Sequence, residues 1–315
     1  MRKIILIISA LLTCFSITGC NVNKVNSDKI KIVCSTYAPY NWLEEIIKGK
    51  EQLYELSLLL KNGEDLHNYQ PTVEDIIQIS SADLFVCVGG ESENWVEDAL
   101  VEAKNKDLDV VYMMDYLDED CLHEGHEHHD HEHHEHEEVF DEHVWLSLKN
   151  AGEIVEHLAI EINELDSSNS KLYQNNTKVY LNKLDQLDKK YEDSLHDLSN
   201  HTLIFADRFP FKYLVEDYHL DYCAAFPGCD AESEASFETI TSLIKKVDDL
   251  KLSTILIIDD NNYKLANTII NNSLMKNQKI LKLDSLQSVS QDKINDCSYL
   301  EVMKNNFDVL IDALE

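Results

Sequence analysis

Residues 166–198 read "DSSNSKLYQNNTKVYLNKLDQLDKKYEDSLHDL". Leu172, Val179, Leu184, Leu187, Tyr191, Leu195 and Leu198 recur at roughly 3.6-residue spacing, the period of a helix with one apolar face. Neither Pro nor Gly interrupts the run from Leu172 to Leu198, and Asp166, Ser167 or Ser168 can cap its start. A helix of that length spans about 40 Å, enough to join two lobes stiffly. A flexible hinge would instead be short and Gly-rich. The stretch therefore predicts a linker helix over 166–199, with a lobe on either side of it.

Both flanks alternate short apolar runs with helical patterns. Before the linker, "KIVCST", "YELSLLL", "DLFVCVG" and "LDVVYMM" read as strands. Between them lie "NWLEEIIK", "PTVEDIIQIS" with Pro71 at a first turn, and "NWVEDALVEAK"; "NAGEIVEHLAIEINEL" follows. After the linker, "HTLIFAD", "LDYCAAF", "LSTILIIDD" and "KILKLDS" are strands, and "FKYLVEDY", "FETITSLIKKVDDL", "LANTIINNSL" and "YLEVMKNNFDVLIDALE" are helices. Strand–helix alternation implies parallel sheets with helices on both faces, here twice. The expected fold is α/β: two lobes, 30–165 and 200–315, each a mostly parallel sheet flanked by helices. The 315 residues and 44% apolar content suffice for two cores. A formal net charge of -32 makes nucleic acid and anionic lipid poor partners for the body of the protein and cations natural ones.

The first 20 residues, "MRKIILIISALLTCFSITGC", place Arg2 and Lys3 before an apolar run too short for a comfortable membrane span. Ile17-Thr18-Gly19-Cys20 then resembles the box of a bacterial lipoprotein signal, in which the Cys is lipidated and becomes the new N-terminus. Residues 21–29 read as a polar tether. The expected location is extracytoplasmic, anchored to the membrane through Cys20. Six further cysteines, Cys34, Cys87, Cys121, Cys223, Cys229 and Cys297, allow 15 pairings. Cys34 and Cys87 sit in strand-like runs and are expected as buried thiols. Cys223 and Cys229 bracket the turn "CAAFPGC" and are the pair to test first.

Residues 123–138, "HEGHEHHDHEHHEHEE", contain eight histidines, seven acids and one glycine. Nothing in this run gains from leaving water, so it cannot build a core. Imidazoles with pKa near 6.5 are largely neutral at physiological pH and can coordinate a metal. His123, His126, His128, His129, His131, His133, His134 and His136 are therefore expected to form an auxiliary metal-collecting loop within 115–142.

In open α/β sheets ligands bind beyond the carboxyl ends of the strands. The polar residues there are His67 in "LLLKNGEDLHNYQPT", Asp141, Glu142 and His143 in "FDEHVWLSLKN", Asp207 and Arg208 in "LIFADRFPF", and Asp259 and Asp260 in "ILIIDDNN". Two histidines and carboxylates from distant loops, converging between two lobes, would make a four-ligand site suited to a first-row divalent metal. Each loop alone is weak: a lone loop histidine is more often structural, and loop aspartates often cap helices.

At these residues the chain resembles the substrate-binding lipoproteins of zinc and manganese ABC importers. "DLHNYQPTVEDI" resembles the family's first ligand loop and puts His67 on it. "DEHVWLSLKNA" resembles the second and puts His143 there. The resemblance implies an acid as fourth ligand, Asp259. The acidic His-rich loop resembles zinc-type members. One departure stands out: the third ligand position falls on Ala206, so Asp207, a water or a ring from the His tract has to take its place. Arg208 is expected to pair a neighbouring carboxylate. The resemblance implies a monomeric protein that performs no chemistry, captures Zn2+ as cargo and passes it to an ABC permease; Mn2+ is the alternative cargo. The rivals are a zinc hydrolase with Glu142 as general base, although no HExxH is present, and a metal-linked adhesin.

Overall fold

The computed structural model describes residues 29–61, 63–101, 103–117, 141–226, 228, 235–258, 263–290, 294 and 296–315. Eight strands form two sheets. The first contains β1 (Ile30–Cys34), β2 (Tyr54–Leu58), β3 (Leu84–Cys87) and β4 (Asp109–Tyr112) in the order β2, β1, β3, β4. The second contains β5 (Thr202–Phe205), β6 (Asp221–Ala224), β7 (Thr254–Ile257) and β8 (Lys279–Lys282) in the order β6, β5, β7, β8. Every pairing is parallel, with Ile30 opposite Tyr54, Phe85 opposite Val110, Ile204 opposite Cys223 and Ile255 opposite Ile280. One strand order thus occurs twice. Its reversal points, between β1 and β3 and between β5 and β7, are where such sheets open a crevice. The central strands Leu84–Cys87 and Thr254–Ile257 are buried at every position, as strands covered on both faces must be.

Nine helices flank these sheets among the described residues: α1 (Tyr37–Ile46), α2 (Val73–Ser80), α3 (Trp95–Val101), α4 (Leu148–Leu165), α5 (Ser170–His196), α6 (Lys212–Asp217), α7 (Phe237–Leu250), α8 (Tyr263–Asn272) and α9 (Tyr299–Leu314). The two parallel sheets with their helices and one long helix agree with the expected class. Local details differ. Pro71 lies outside α2, because Thr72 is the N-cap: its side chain accepts from Asp75 N while the Asp75 carboxylate accepts from Thr72 N.

The long helix α5 has no side-chain cap from Asp166, Ser167 or Ser168. Asn169 occupies the N-cap, and Ser167–Asn169 form a 3-10 turn that folds α4 and α5 into a hairpin. Asp166 fixes that turn instead, accepting from Asn169 Nδ2 at 2.6 Å and from the Tyr173 hydroxyl at 2.7 Å. The buried face of α5 is Tyr173, Thr177, Tyr180, Leu184, Tyr191 and Leu195. Val179 stays 49% exposed and Leu172 half-buried, so the upper half of the apolar stripe is turned by one residue from the leucine pattern. Tyrosine explains this. Its ring packs like a hydrophobe while its hydroxyl can find a partner: Tyr173 donates towards Asp166 and Tyr191 to the Met303 carbonyl, whereas the buried Tyr180 hydroxyl has none among the described residues.

From the second half of the chain α9 returns across the first. Tyr299 packs edge-on against Trp42 at 5.1 Å, and its N–H donates to Asn41 Oδ1 at 2.9 Å. One apolar core consequently runs from Ile32 through the α4–α5 hairpin to Leu314, while a smaller core around Ile204, Leu243, Val247, Ile255 and Ile269 serves the second sheet alone. Cys34 and Cys87 are buried thiols in the larger core, as expected. Cys121 and Cys229 lie outside the described residues.

Candidate metal centre

His67 sits in a 3-10 turn, Leu66–Asn68, that follows β2. Asp65 caps the turn: its Oδ1 accepts from His67 N at 3.0 Å. The ring is held from behind. His67 Nδ1 lies 2.7 Å from Ser92 Oγ and 3.5 Å from Glu142 Oε2, and Ser92 N donates to Glu142 Oε1 at 2.7 Å. Ser92 belongs to the loop after β3, and Glu93 pins that loop. The Glu93 Oε2 accepts from Val88 N at 2.6 Å and Gly89 N at 2.9 Å. Burial pushes the Glu93 carboxyl up to about 7, against the pull of those N–H donors.

His143 enters from the other direction, just before α4. Asp141 Oδ1 accepts from both His143 N and His143 Nδ1, each at 2.8 Å. Trp145 presses edge-on against the imidazole at 5.3 Å and donates from Nε1 to the Ser285 carbonyl at 2.9 Å. The Tyr213 hydroxyl donates to the Asp141 carbonyl, so a second-lobe side chain also steadies this turn.

The two Nε2 atoms meet at 3.2 Å. Two imidazole nitrogens on one tetrahedral zinc, each about 2.0–2.1 Å from the ion, stand about 3.3 Å apart. Each ring has its Nδ1 against an oxygen, which sets the tautomer with an N–H there and a lone pair on Nε2. Two lone pairs facing each other at this distance call for a cation or a proton between them. Gln287, in the loop after β8, adds a third group: its Nε2 is 2.7 Å from His143 Nε2, and its Oε1 is buried with no hydrogen-bond partner among the described residues. Turning the amide over would aim the carbonyl oxygen at the same point.

The structure thus brings His67 and His143 together, and their approach joins loops 76 residues apart. Asp207 is fully buried at the end of β5, its carboxylate accepting from Arg208 N and Ile258 N, each at 2.8 Å. Among the described residues it makes no hydrogen bond to either histidine. Arg208 pairs a carboxylate as expected, and one partner is Asp65 across the cleft, at 2.8 Å. Asp259, Asp260, Cys20 and the eight histidines of the tract lie outside the described residues. Among those described, no three His, Cys, Asp or Glu side chains cluster as a metal site. Gln287 was missed because a search for ionisable ligands passes over a neutral amide. Ser92 and Asp65 carry only the weak signal of short polar residues in turns.

The chain matches the family model described as ZnuA, zinc-uptake complex component A periplasmic, over residues 32–313. It is 31% identical over 290 residues to the high-affinity zinc uptake system protein ZnuA of Bacillus subtilis, covering 91% of this chain and 88% of that protein. It is 28% identical to the zinc-binding lipoprotein AdcA of Streptococcus pneumoniae over 98% of this chain, and spans 60% of AdcA's length. The crystal structure of the metal-dependent lipoprotein YcdH of Bacillus subtilis superposes with a TM-score of 0.74 at 27% identity, covering 91% of this chain and 99% of that one. A match over this much of the chain, on a fold with the same two-sheet plan, decides the assignment: the chain belongs to the family of periplasmic zinc-uptake components, ZnuA.

Proposed function

We propose that this protein captures Zn2+ in the cleft between its two sheets and hands it to an ABC permease. The observation that carries the reading is the pair of opposed Nε2 atoms, 3.2 Å apart, with both Nδ1 atoms held by oxygen partners. His67 and His143 supply two nitrogen ligands, and the Gln287 carbonyl oxygen supports them from the second sheet. Asp259, two residues beyond β7 in the sequence and outside the described residues, is the acid proposed to complete the set. Asp207 is the weaker candidate, since both its oxygens already accept backbone amides. Two imidazoles favour zinc over manganese. Glu142 faces His67 from the Nδ1 side, away from the Nε2 that would hold the ion, which argues against its service as a base on metal-bound water.

The tether at Cys20 would hold the protein at the outer face of the membrane, where one chain suffices because both histidines come from it. The test is zinc affinity by competition with a chromophoric chelator. His67→Ala and His143→Ala should each weaken the tight step by more than about 100-fold, because loss of an outer partner alone is worth about 10–100-fold. A double variant that keeps the tight step would overturn the assignment. Cys20→Ala should move the protein out of the membrane fraction.

A further inference from the structure

We infer that Arg208 ties the two lobes together without metal and, through Asp65, sets the position of His67. Strand β5 leads into Ala206, a buried residue with no ligand to offer, and then into Asp207, whose carboxylate is turned back onto Ile258 N at the end of β7. The next side chain crosses the cleft. Arg208 Nη1 donates to Asp65 Oδ2 at 2.8 Å, joining residues 143 positions apart, with the two side chains only 15% and 13% exposed. The other oxygen of that carboxylate caps His67 N at 3.0 Å. One carboxylate therefore holds the backbone of a metal-site histidine and a cation of the opposite lobe at once.

Such a pair is weak when solvated, but removing one partner of a buried pair strands a charge. Guanidinium suits the role, since it cannot lose its proton and directs its donors in a fixed plane. The consequence is a cleft whose closure does not wait for the ion. The His67–His143 pair is presented in place, and zinc joins a preorganised half-site. A fixed cation near a metal would ordinarily repel it; Asp65 cancels that charge where it stands.

The affinity and zinc-loaded arms of the test rest on the zinc reading above, and the scattering of stripped protein does not. Asp65→Asn keeps an oxygen to cap His67 N but loses the charge that Arg208 needs. Small-angle scattering would compare chelator-stripped and zinc-loaded protein for the wild type, Arg208→Gln, Arg208→Lys, Asp65→Asn and the Arg208→Gln/Asp65→Asn double variant. The wild type should have the same radius of gyration in both states. Arg208→Gln should expand when stripped, contract with zinc, and bind zinc about tenfold more weakly, the loss of one charge-assisted bond. Arg208→Lys should fall between, Asp65→Asn should match Arg208→Gln, and the double variant should be no worse than either. A wild type that contracts on zinc as far as Arg208→Gln does, or single effects that add in the double variant, would overturn the tie. A wild type that binds no zinc would defeat the functional reading, and the stripped-protein scattering would still decide the tie.

Discussion

Gly90 shapes the metal centre by lacking a side chain. A Cβ built on it would stand 2.2 Å from Glu142 Oε1 and 2.3 Å from Glu142 Cγ. Its φ of -95° is open to any residue, so the demand for glycine here is steric and falls first on Glu142. Gly90→Ala should lift Glu142 off Ser92 N and away from His67 Nδ1. Zinc affinity should fall about 10–100-fold with the fold intact, measured by chelator competition beside circular dichroism. An unchanged affinity would mean that Glu142 does not orient His67. Glu93, three residues after Gly90 in the same loop, gives a second test. In the unfolded chain it titrates near 4.3, and in the fold at about 7. Between those values the folded protein holds a proton that the unfolded chain has lost, so this group's contribution to stability falls as pH rises through the window and the penalty is complete above it. Gln at position 93 keeps an oxygen for Val88 N and Gly89 N but never charges. The melting temperature of Glu93→Gln relative to wild type should therefore climb between pH 5 and pH 8. A difference independent of pH would show that Glu93 does not ionise in that window.

At the scale of elements, α5 was legible as one long helix, Ser170–His196, and misread in face. A leucine count places Val179 in the stripe, yet Val179 is 49% exposed while Tyr173 and Tyr180 are buried. The two readings make opposite forecasts. Leu184→Ala, at a site 1% exposed, should cost about 2–5 kcal/mol. Val179→Ala should change stability by no more than about 0.5 kcal/mol. Urea melts of the two variants separate them, and a larger loss at Val179 would reject the packing described. Strands were easier. An apolar run of four or five residues between turn signals leaves few alternatives in a chain that alternates with helices, and every strand expected was found. Helix starts were harder, because a cap depends on which short polar side chain bonds back. Thr72 outcompeted Pro71 at α2, and Asp166 was drawn off to Asn169 and Tyr173 at the α4–α5 turn.

For the whole molecule, the continuous core from Ile32 to Leu314 means that the two sheets are not independent bodies on a tether. The His-rich tract, outside the described residues, is proposed to collect zinc near the cleft without forming the main site. It offers many interchangeable ligands and no apolar residue to fix one geometry, and ordering each residue costs about 1–2 kcal/mol, so its sites should be weaker than the preformed one. Deleting 123–138 should remove several weak zinc equivalents and leave one tight equivalent in a side-by-side titration at neutral pH. Loss of the tight equivalent would mean that the tract supplies the ligand that Ala206 cannot. The α/β class, the doubled strand–helix pattern and the long helix were readable from the sequence alone, and short motifs singled out His67 and His143 as the proposed ligands, because each of these is written in local periodicity or in neighbouring residues. Only the tertiary structure decided that Arg208 reaches Asp65, that Asp207 turns inward to Ile258, and that Gln287 stands beside His143. Those contacts join loops from different strands, and partners so far apart in the chain are chosen by how the sheets and the α4–α5 hairpin pack, not by neighbouring residues.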